Sequence, residues 1–254
     1  LAREIAGGSI VLLKNDGMLP LAEEDKAAVF GKGQIDTLIG GSGSGATSSE
    51  SAAKIIDELK RAGIKTVDAI EQLYRAEYDP EKLKRQRLEM REKFKDLVAS
   101  GAMYEFFGKY QAPAEEPEIP VGLVEEARKE TGVAIIVISR SAGGEECDRR
   151  VNGDYYLIES EKRLIEQVAG SFDSVSVIIN SVGAIDIAWV EKYRSIRSLL
   201  YIATPGEQGA AALADIITGK LTPSGKLAST IAWSYDDFPS AADFSFDKDE
   251  PLPN

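Results

Sequence analysis

The chain has 254 residues, of which 43% are hydrophobic and 28% are charged, so it is long enough to bury the core of one large α/β domain. Its formal charge of −12 argues against a nucleic-acid or anionic-membrane surface, and no apolar run approaches the ~20 residues of a membrane span. Because the chain has no histidine and one cysteine, Cys147, it excludes Ser–His–Asp, Cys–His and zinc-hydrolase chemistry and any internal disulfide. Neither a cofactor nor a metal is expected.

In chain order, a helix-like start, LAREIAGG, is followed by short β-branched runs that alternate with amphipathic segments. The chain opens inside this helix-like segment, so we expect that the natural start lies further upstream. The runs predicted as strands are KAAVFG, IKTVDA, VAIIVIS, SVSVIIN, RSLLYIA and KLASTIA. Central runs that are apolar throughout are typical of strands covered on both faces. The alternation predicts a three-layer α/β/α sandwich with a mostly parallel sheet of about six strands.

The helices between these strands have recognisable ends. Thr47 and Glu50 form a T-x-x-E capping-box pattern that predicts a helix start, and Gly63 predicts its end. The segments EKRLIEQVAG and AAALADIITG each place apolar residues on one helical face and end at Gly170 and Gly219.

One segment interrupts this alternation. Residues 79–99 predict a highly charged helix with Asp79 as N-cap and a sparse apolar stripe of Leu83, Met90, Phe94 and Leu97. The Pro- and Glu-rich stretch that follows predicts an extended connector. Residues 74–120 are therefore interpreted as an insertion within a single domain of residues 1–254, and the helix is interpreted as a solvated surface helix.

A glycine-rich loop, GKGQIDTLIGGSGSGATSSE, follows the strand AAVF. Glycine loops after a strand can bind phosphates, but the dinucleotide pattern needs a glycine where Asp36 stands, and the Lys–Ser/Thr pair of a P-loop is absent. A nucleotide-binding protein is thus the weakest of three hypotheses. The other interpretations of the loop are a flexible backbone, or a close approach to a ligand with Ser42 or Ser44 as hydrogen-bonding hydroxyls.

An acidic loop, SRSAGGEECDRR, follows the predicted strand VAIIVI. Open α/β sheets bind ligands beyond the carboxyl ends of their strands, which is the position of this loop. On the residues alone, a solvated loop with Arg140 and Arg149 as ion-pair partners is the favoured interpretation, and such pairs contribute little if exposed.

Five segments together resemble glycoside hydrolase family 3, in particular the α/β sandwich domain that pairs with a (β/α)8 barrel in its β-glucosidases. They are SIVLLKNDGMLPL, FGKGQIDTLIGGSGSG, VISRSAGGEECDRRVNGDYYL, IDIAWVEKY and LADIITGKLTPSGKL, and the similarity runs from about residue 5 to residue 240. The resemblance implies a retaining mechanism, in which an aspartate nucleophile comes from the barrel and the general acid/base from a G-E-x-x-D-R loop.

Carried over residue by residue, the G-E-x-x-D-R pattern implies that Glu145 is the general acid/base, with Glu146 beside it as a possible alternate acid. The serine of the family's glycine loop corresponds to Ser44. The expected substrate-binding residues are Ser42, Gly43, Ser44, Asp148 and Arg149. Retaining hydrolysis needs two carboxyl groups ~5–5.5 Å apart, one of them protonated, so the acid needs a partner surface that excludes water.

The first hypothesis is therefore the second domain of a β-glucosidase-like enzyme that acts on a β-glucoside or oligosaccharide. It needs a barrel in cis or in trans and is inactive alone. The second is a natural or engineered non-catalytic α/β scaffold or carbohydrate-binding module derived from that domain. An excised domain should expose a wide apolar patch near Ser44 and Glu145, through which it could self-associate. A soluble, cytoplasmic location is favoured over a secreted one.

Overall fold

The computed structural model describes residues 1–41, 47, 49, 51–77, 80–101, 113–141 and 149–242, without the side chains of residues 80–87, 90 and 91. Six strands form one sheet. They are β1 (Val11–Asn15), β2 (Lys26–Phe30), β3 (Lys65–Thr66), β4 (Val133–Arg140), β5 (Ser174–Ser181) and β6 (Ile196–Tyr201). Their order across the sheet is β1-β6-β5-β4-β2-β3.

All pairings are parallel except that of β1, which lies antiparallel to β6 at one edge. The longest pairing joins β4 and β5 in unbroken register, so that Arg140 lies beside Ser181 at their carboxyl ends. Every residue of β4 after Val133 is buried, as a strand with helices on both faces requires.

Helices cover both faces of the sheet. The described part of the chain contains seven α-helices: α1 (Ala2–Ser9), α2 (Ile55–Arg61), α3 (Asp68–Glu77), α4 (Pro80–Ala99), α5 (Val121–Glu130), α6 (Glu159–Ser171) and α7 (Gly209–Ile217). Helix α7 packs against α1 and α2, whereas α5 packs against α3 and α6. The predicted three-layer α/β/α sandwich with a mostly parallel, six-stranded sheet is confirmed.

The sixth strand, however, is not the one predicted. KLASTIA, residues 226–232, forms no strand, and the sheet has six strands because β1, which was not predicted, is one of them. Most of residues 226–232 are exposed or half-buried, and they lie outside the sheet. Strand β1 has only one fully buried residue, Val11, and a register irregularity between Leu12 and Lys14. Its identity as a strand depends on β6, which lies far away in sequence.

The predicted capping box at Thr47 is also wrong. Helix α2 begins at Ile55, after an extended Lys54. The backbone N–H of Ile55 donates instead to the hydroxyl of Thr37 at 3.3 Å, so a residue nearer the start of the same β2–α2 connection caps this helix. The predicted end is confirmed, since the helix stops before Gly63, which has a φ of 99°.

The charged helix predicted for residues 79–99 is α4, and its predicted N-cap, Asp79, lies outside the described residues. Of the predicted apolar stripe, Phe94 and Leu97 are half-buried, and the side chains of the other two residues are not described. Among the described helices, none combines the length and the apolar character that crossing a membrane would demand. That residues 74–120 are an insertion within one domain stays a prediction.

Candidate functional site at the carboxyl edge of the sheet

The turn after β2 lies unusually close to β4. Gly31 has a φ of 92°, and a Cβ built on it would lie 2.2 Å from the carbonyl oxygen of Val137. Only glycine fits a backbone that is both left-handed and this close to its neighbour. The first residues of the glycine-rich loop then form a short 3-10 helix, Lys32–Gln34.

Asn180, the penultimate residue of β5, holds the start of the glycine-rich loop. Its side chain is fully buried. Oδ1 accepts from the N–H of Leu38 at 2.7 Å and from the Ser139 hydroxyl at 3.0 Å. Nδ2 donates to the carbonyls of Leu38 at 2.9 Å and Ala203 at 2.7 Å. One amide thus connects strand β4 with the loops after β2 and β6, with both of its acceptor and both of its donor positions used.

The loop closes on itself at its base. A Cβ on Gly40 would lie 2.7 Å from Cβ of Thr47, so the two ends of the segment between them are in contact. The carbonyl of Ile39 also accepts from the N–H of Gly206 at 3.1 Å, which ties the loop to the segment before α7. The predicted substrate-binding residues Ser42, Gly43 and Ser44 lie between these anchors, outside the described residues.

A cluster of buried charges lies beneath the same edge. The carboxylate of Glu116 accepts from the backbone N–H of Lys32, at 3.2 Å to Oε1 and 3.0 Å to Oε2. The ammonium of Lys32 donates to the carbonyl of Ala114. Burial raises the pKa of Glu116 to about 7 although Lys32 opposes the shift, and burial also lowers the pKa of Lys32. The cluster fastens residues 114–116, which precede α5, to the turn after β2.

Two arginines flank the acidic loop. Arg140 ends β4 and pairs with Glu161, and both side chains are fully buried. Arg149 donates from Nε to Asp154 at 2.7 Å and from Nη2 to the carbonyl of Ala184 at 2.6 Å, and its guanidinium carbon lies 5.8 Å from the ring centre of Tyr155.

The remaining predicted site residues, Glu145, Glu146 and Asp148, lie outside the described residues. Arg149 is thus the one predicted site residue with described contacts.

A cleft of about 380 Å³ opens beside residues 152–157, the segment that follows the acidic loop and is called here the return of the acidic loop. Among its lining residues are Tyr156, Asp186, Trp189 and Tyr193. Burial raises the pKa of Asp186, whereas the N–H of Ala188, which donates to its carboxylate at 2.8 Å, opposes that shift. The described residues contain no group of three or more acidic or cysteine side chains that could hold a metal ion.

Sequence reasoning did not assign roles to Asn180, Glu116, Glu161 or Asp186. A signal existed for Asn180, since it is the polar residue that ends the apolar run SVSVIIN. Glu116 had no such signal, because it belongs to a Pro- and Glu-rich stretch in which the neighbouring Glu115 and Glu118 are exposed.

Large exposed apolar side chains do not concentrate in one described element. They are Leu1, Ile5, Leu88, Val98, Val121, Leu221 and Trp233. Trp233, 70% exposed, is flanked by residues that contact the return of the acidic loop, since Tyr155 donates to the carbonyl of Ala232 at 2.6 Å. The predicted apolar patch would centre on residues outside the described ranges.

The fold and the loops at its carboxyl edge define an α/β sandwich of the type found in glycosidases. Residues 10–252 match the family model described as the glycosyl hydrolase family 3 C-terminal domain. The chain belongs to this family.

Curated relatives are longer than this chain. It is 30% identical to beta-glucosidase A of Butyrivibrio fibrisolvens over 98% of its own length but only 30% of the relative's. It is 29% identical to a beta-glucosidase of Ruminococcus albus, covering 96% of this chain and 24% of that protein. The chain therefore spans about a quarter to a third of these relatives.

Solved structures that resemble this chain are also longer beta-glucosidases. A beta-glucosidase of Paenibacillus barengoltzii superposes with a TM-score of 0.76 at 30% identity, over 96% of this chain and 25% of that one. Beta-glucosidase 3B of Thermotoga neapolitana, in complex with glucose, also gives 0.76 at 29% identity, over 98% of this chain and 33% of that one.

Proposed function

We propose that the chain is the domain of a retaining, β-glucosidase-like glycosidase that supplies the general acid/base, Glu145. The observation that carries the proposal is the sequence GEECDR, residues 144–149, which follows β4 in a chain that belongs to glycosyl hydrolase family 3. The relatives named beta-glucosidases support a β-glucoside or oligosaccharide as the substrate. Because the chain spans only a fraction of them, a (β/α)8 barrel, in cis or in trans, is proposed to supply the nucleophile.

The proposed reaction has two steps. In the first, protonated Glu145 donates its proton to the glycosidic oxygen while the bond from this oxygen to the anomeric carbon breaks and a barrel aspartate bonds to that carbon. In the second, ionised Glu145 takes a proton from water, whose oxygen attacks the same carbon and releases the aspartate. We expect the pKa of Glu145 to rise only when the barrel covers the loop and excludes water.

The residues around Glu145 have proposed roles in holding the sugar. Ser44, with Ser42 and Gly43 beside it, is proposed to approach the sugar from the glycine-rich loop, whose start is held by Asn180. Asp148 and Arg149 are proposed to line the other side. The contacts of Arg149 with Asp154 and Ala184 support a fixed guanidinium at this point.

The decisive test uses the enzyme completed by its barrel. Glu145→Gln should lower kcat/KM for glucosides with poor leaving groups by about 10²–10⁴-fold and much less for activated aryl glucosides, because only poor leaving groups need the proton. Glu146→Gln, with the same change in charge one residue away, is the matched control. Equal losses on both substrates in the Glu145 variant would exclude this residue as the acid, and the leaving-group effect in the Glu146 variant would transfer the role to Glu146.

The isolated chain gives a second test. We expect it to leave activated aryl glucosides intact until a family 3 barrel is added, and we expect the face that docks the barrel to self-associate, which solution mass measures. Unaided hydrolysis would contradict the proposed division of roles. The alternative, a non-catalytic scaffold or binding module, predicts that an added barrel changes nothing.

A further inference from the structure

The ion pair of Arg140 and Glu161 lies at the root of the acidic loop. Arg140 is the last residue of β4, and Glu161 lies in the first turn of α6. Nη1 of Arg140 donates to Oε2 of Glu161 at 3.2 Å, and neither side chain is exposed to solvent.

The pair joins the two ends of the segment that contains the acidic loop. Nη1 of Arg140 also donates to the carbonyl of Tyr156 at 2.8 Å. Oε2 of Glu161 accepts from the N–H of Ile158 at 3.1 Å. These hydrogen bonds join Arg140, where the backbone leaves β4, to Tyr156 and Ile158, where it returns. They therefore hold the two ends of the segment between them at a fixed separation.

The returning stretch is held at further points. The N–H of Asp186 donates to the carbonyl of Tyr155 at 2.8 Å, and Arg149 donates to the carbonyl of Ala184. Both contacts tie the stretch to the segment after β5. Among the described contacts of this stretch, those of the Arg140–Glu161 pair reach across to β4.

A buried ion pair is a weak source of stability, because removing both charges from water offsets most of their attraction. Its better-supported use is to select one arrangement of the backbone, since two apolar side chains would pack equally well in several. Hydrogen bonds from one guanidinium to a carboxylate and a carbonyl are directional, so they favour one arrangement of the backbone.

We propose that Arg140 and Glu161 form a clasp that positions the acidic loop, and with it the general acid, for proton donation. The inference rests on the proposed function of Glu145. Both are proposed as positioning residues, because their described contacts join the backbone at the two ends of the loop.

Hydrogen exchange on the isolated chain tests whether the clasp holds the loop. Glu161→Gln keeps the shape of the side chain but removes its charge. It should speed amide exchange by about tenfold or more in residues 149–158, where the amides of Gly153, Asp154 and Tyr155 are hydrogen-bonded. Glu159→Gln is the matched control, because Glu159 lies in the same helical turn, is exposed and pairs only with Lys162 at 2.5 Å among the described residues. Unchanged exchange in the Glu161 variant would overturn the clasp.

Kinetics of the completed enzyme test whether the clasp serves the acid. Glu161→Gln and Arg140→Lys should lower kcat for a poor leaving group about 10- to 100-fold more than for an activated aryl glucoside, with KM nearly unchanged. Circular dichroism confirms that each variant is folded, and Arg140→Lys, which keeps the positive charge, provides a second variant if Glu161→Gln unfolds. Faster exchange with equal losses on both substrates would overturn the positioning role.

The Glu145→Gln enzyme, measured in the same series, separates the two proposals. If it lacks the leaving-group effect, the proposed function fails and the positioning role falls with it. If it shows the effect and the clasp variants do not, only the present inference is overturned.

Discussion

Glu116→Gln should change how the stability of the isolated chain depends on pH. Glu116 is 4% exposed, and Lys32, Glu161 and Arg140 are the other charged members of its cluster. Burial is the largest influence on its pKa and Glu161 adds to the increase, whereas Lys32 opposes it, with a net pKa of about 7 instead of the ordinary 4.5. Because the folded state holds this proton more tightly than the unfolded chain, its stabilising effect is complete below pH 4.5 and is lost as pH rises through 7.

The size of the effect follows from the two pKa values. A change from 4.5 to about 7 corresponds to about 3 kcal/mol in total, of which about 2 kcal/mol falls between about pH 5 and about pH 8. Glutamine cannot ionise, so the free energy of unfolding of the wild type should fall by about 2 kcal/mol relative to that of the variant over this range.

Urea titrations followed by circular dichroism at the two pH values measure this difference. Glu118→Gln, an exposed carboxylate in the same connector, is the matched control and should follow the wild type. Parallel pH dependence in the wild type and Glu116→Gln would refute the reasoning, because it would mean that Glu116 ionises equally readily in the folded and unfolded chain.

Further substitutions test the packing around the site. Asn180→Ala leaves the N–H and carbonyl of Leu38 without their partner, and should lower the free energy of unfolding by about 3 kcal/mol in urea titrations. Gly31→Ala should lower the free energy of unfolding by more than about 2 kcal/mol, because the new Cβ meets the backbone of β4. The control Gly170→Ala, in a helix with open space around it, should raise the free energy of unfolding by up to about 1 kcal/mol. A Gly31→Ala variant as stable as the wild type would contradict the close approach. Phe172→Ala removes a buried ring 5.7 Å from that of Phe30 and should lower the urea midpoint by the equivalent of about 3–5 kcal/mol.

The central strands could be predicted from sequence because their pattern is local. Strands β2, β4, β5 and β6 are short apolar runs, and burial on both faces requires such runs in any parallel sheet. Strand β1 and the segment 226–232 reverse the expectation because neither is decided locally. VLLKN becomes a strand by pairing with β6, whereas KLASTIA has β-branched residues but no place in the sheet.

The candidate site, like the sheet, could be predicted from the sequence only where local pattern decides the structure. The position of the acidic loop after β4 was predictable, because ligand-binding loops of α/β sheets follow strand ends. The partners that hold its flanks were not. Glu161 reaches Arg140 from a helix that begins 19 residues later in sequence, and Thr37 caps a helix that begins 18 residues later. Such contacts depend on the packed arrangement of the elements, which spacing along the chain does not encode.

The two tryptophans give the domain two separate optical reporters. Trp189 is 6% exposed and donates to the carbonyl of Asp186, so its emission follows the integrity of the folded core. Trp233 is 70% exposed next to the return of the acidic loop, so its emission responds to whatever covers that surface. With Trp189 replaced by phenylalanine, a blue shift on adding another domain would report docking without a chemical label.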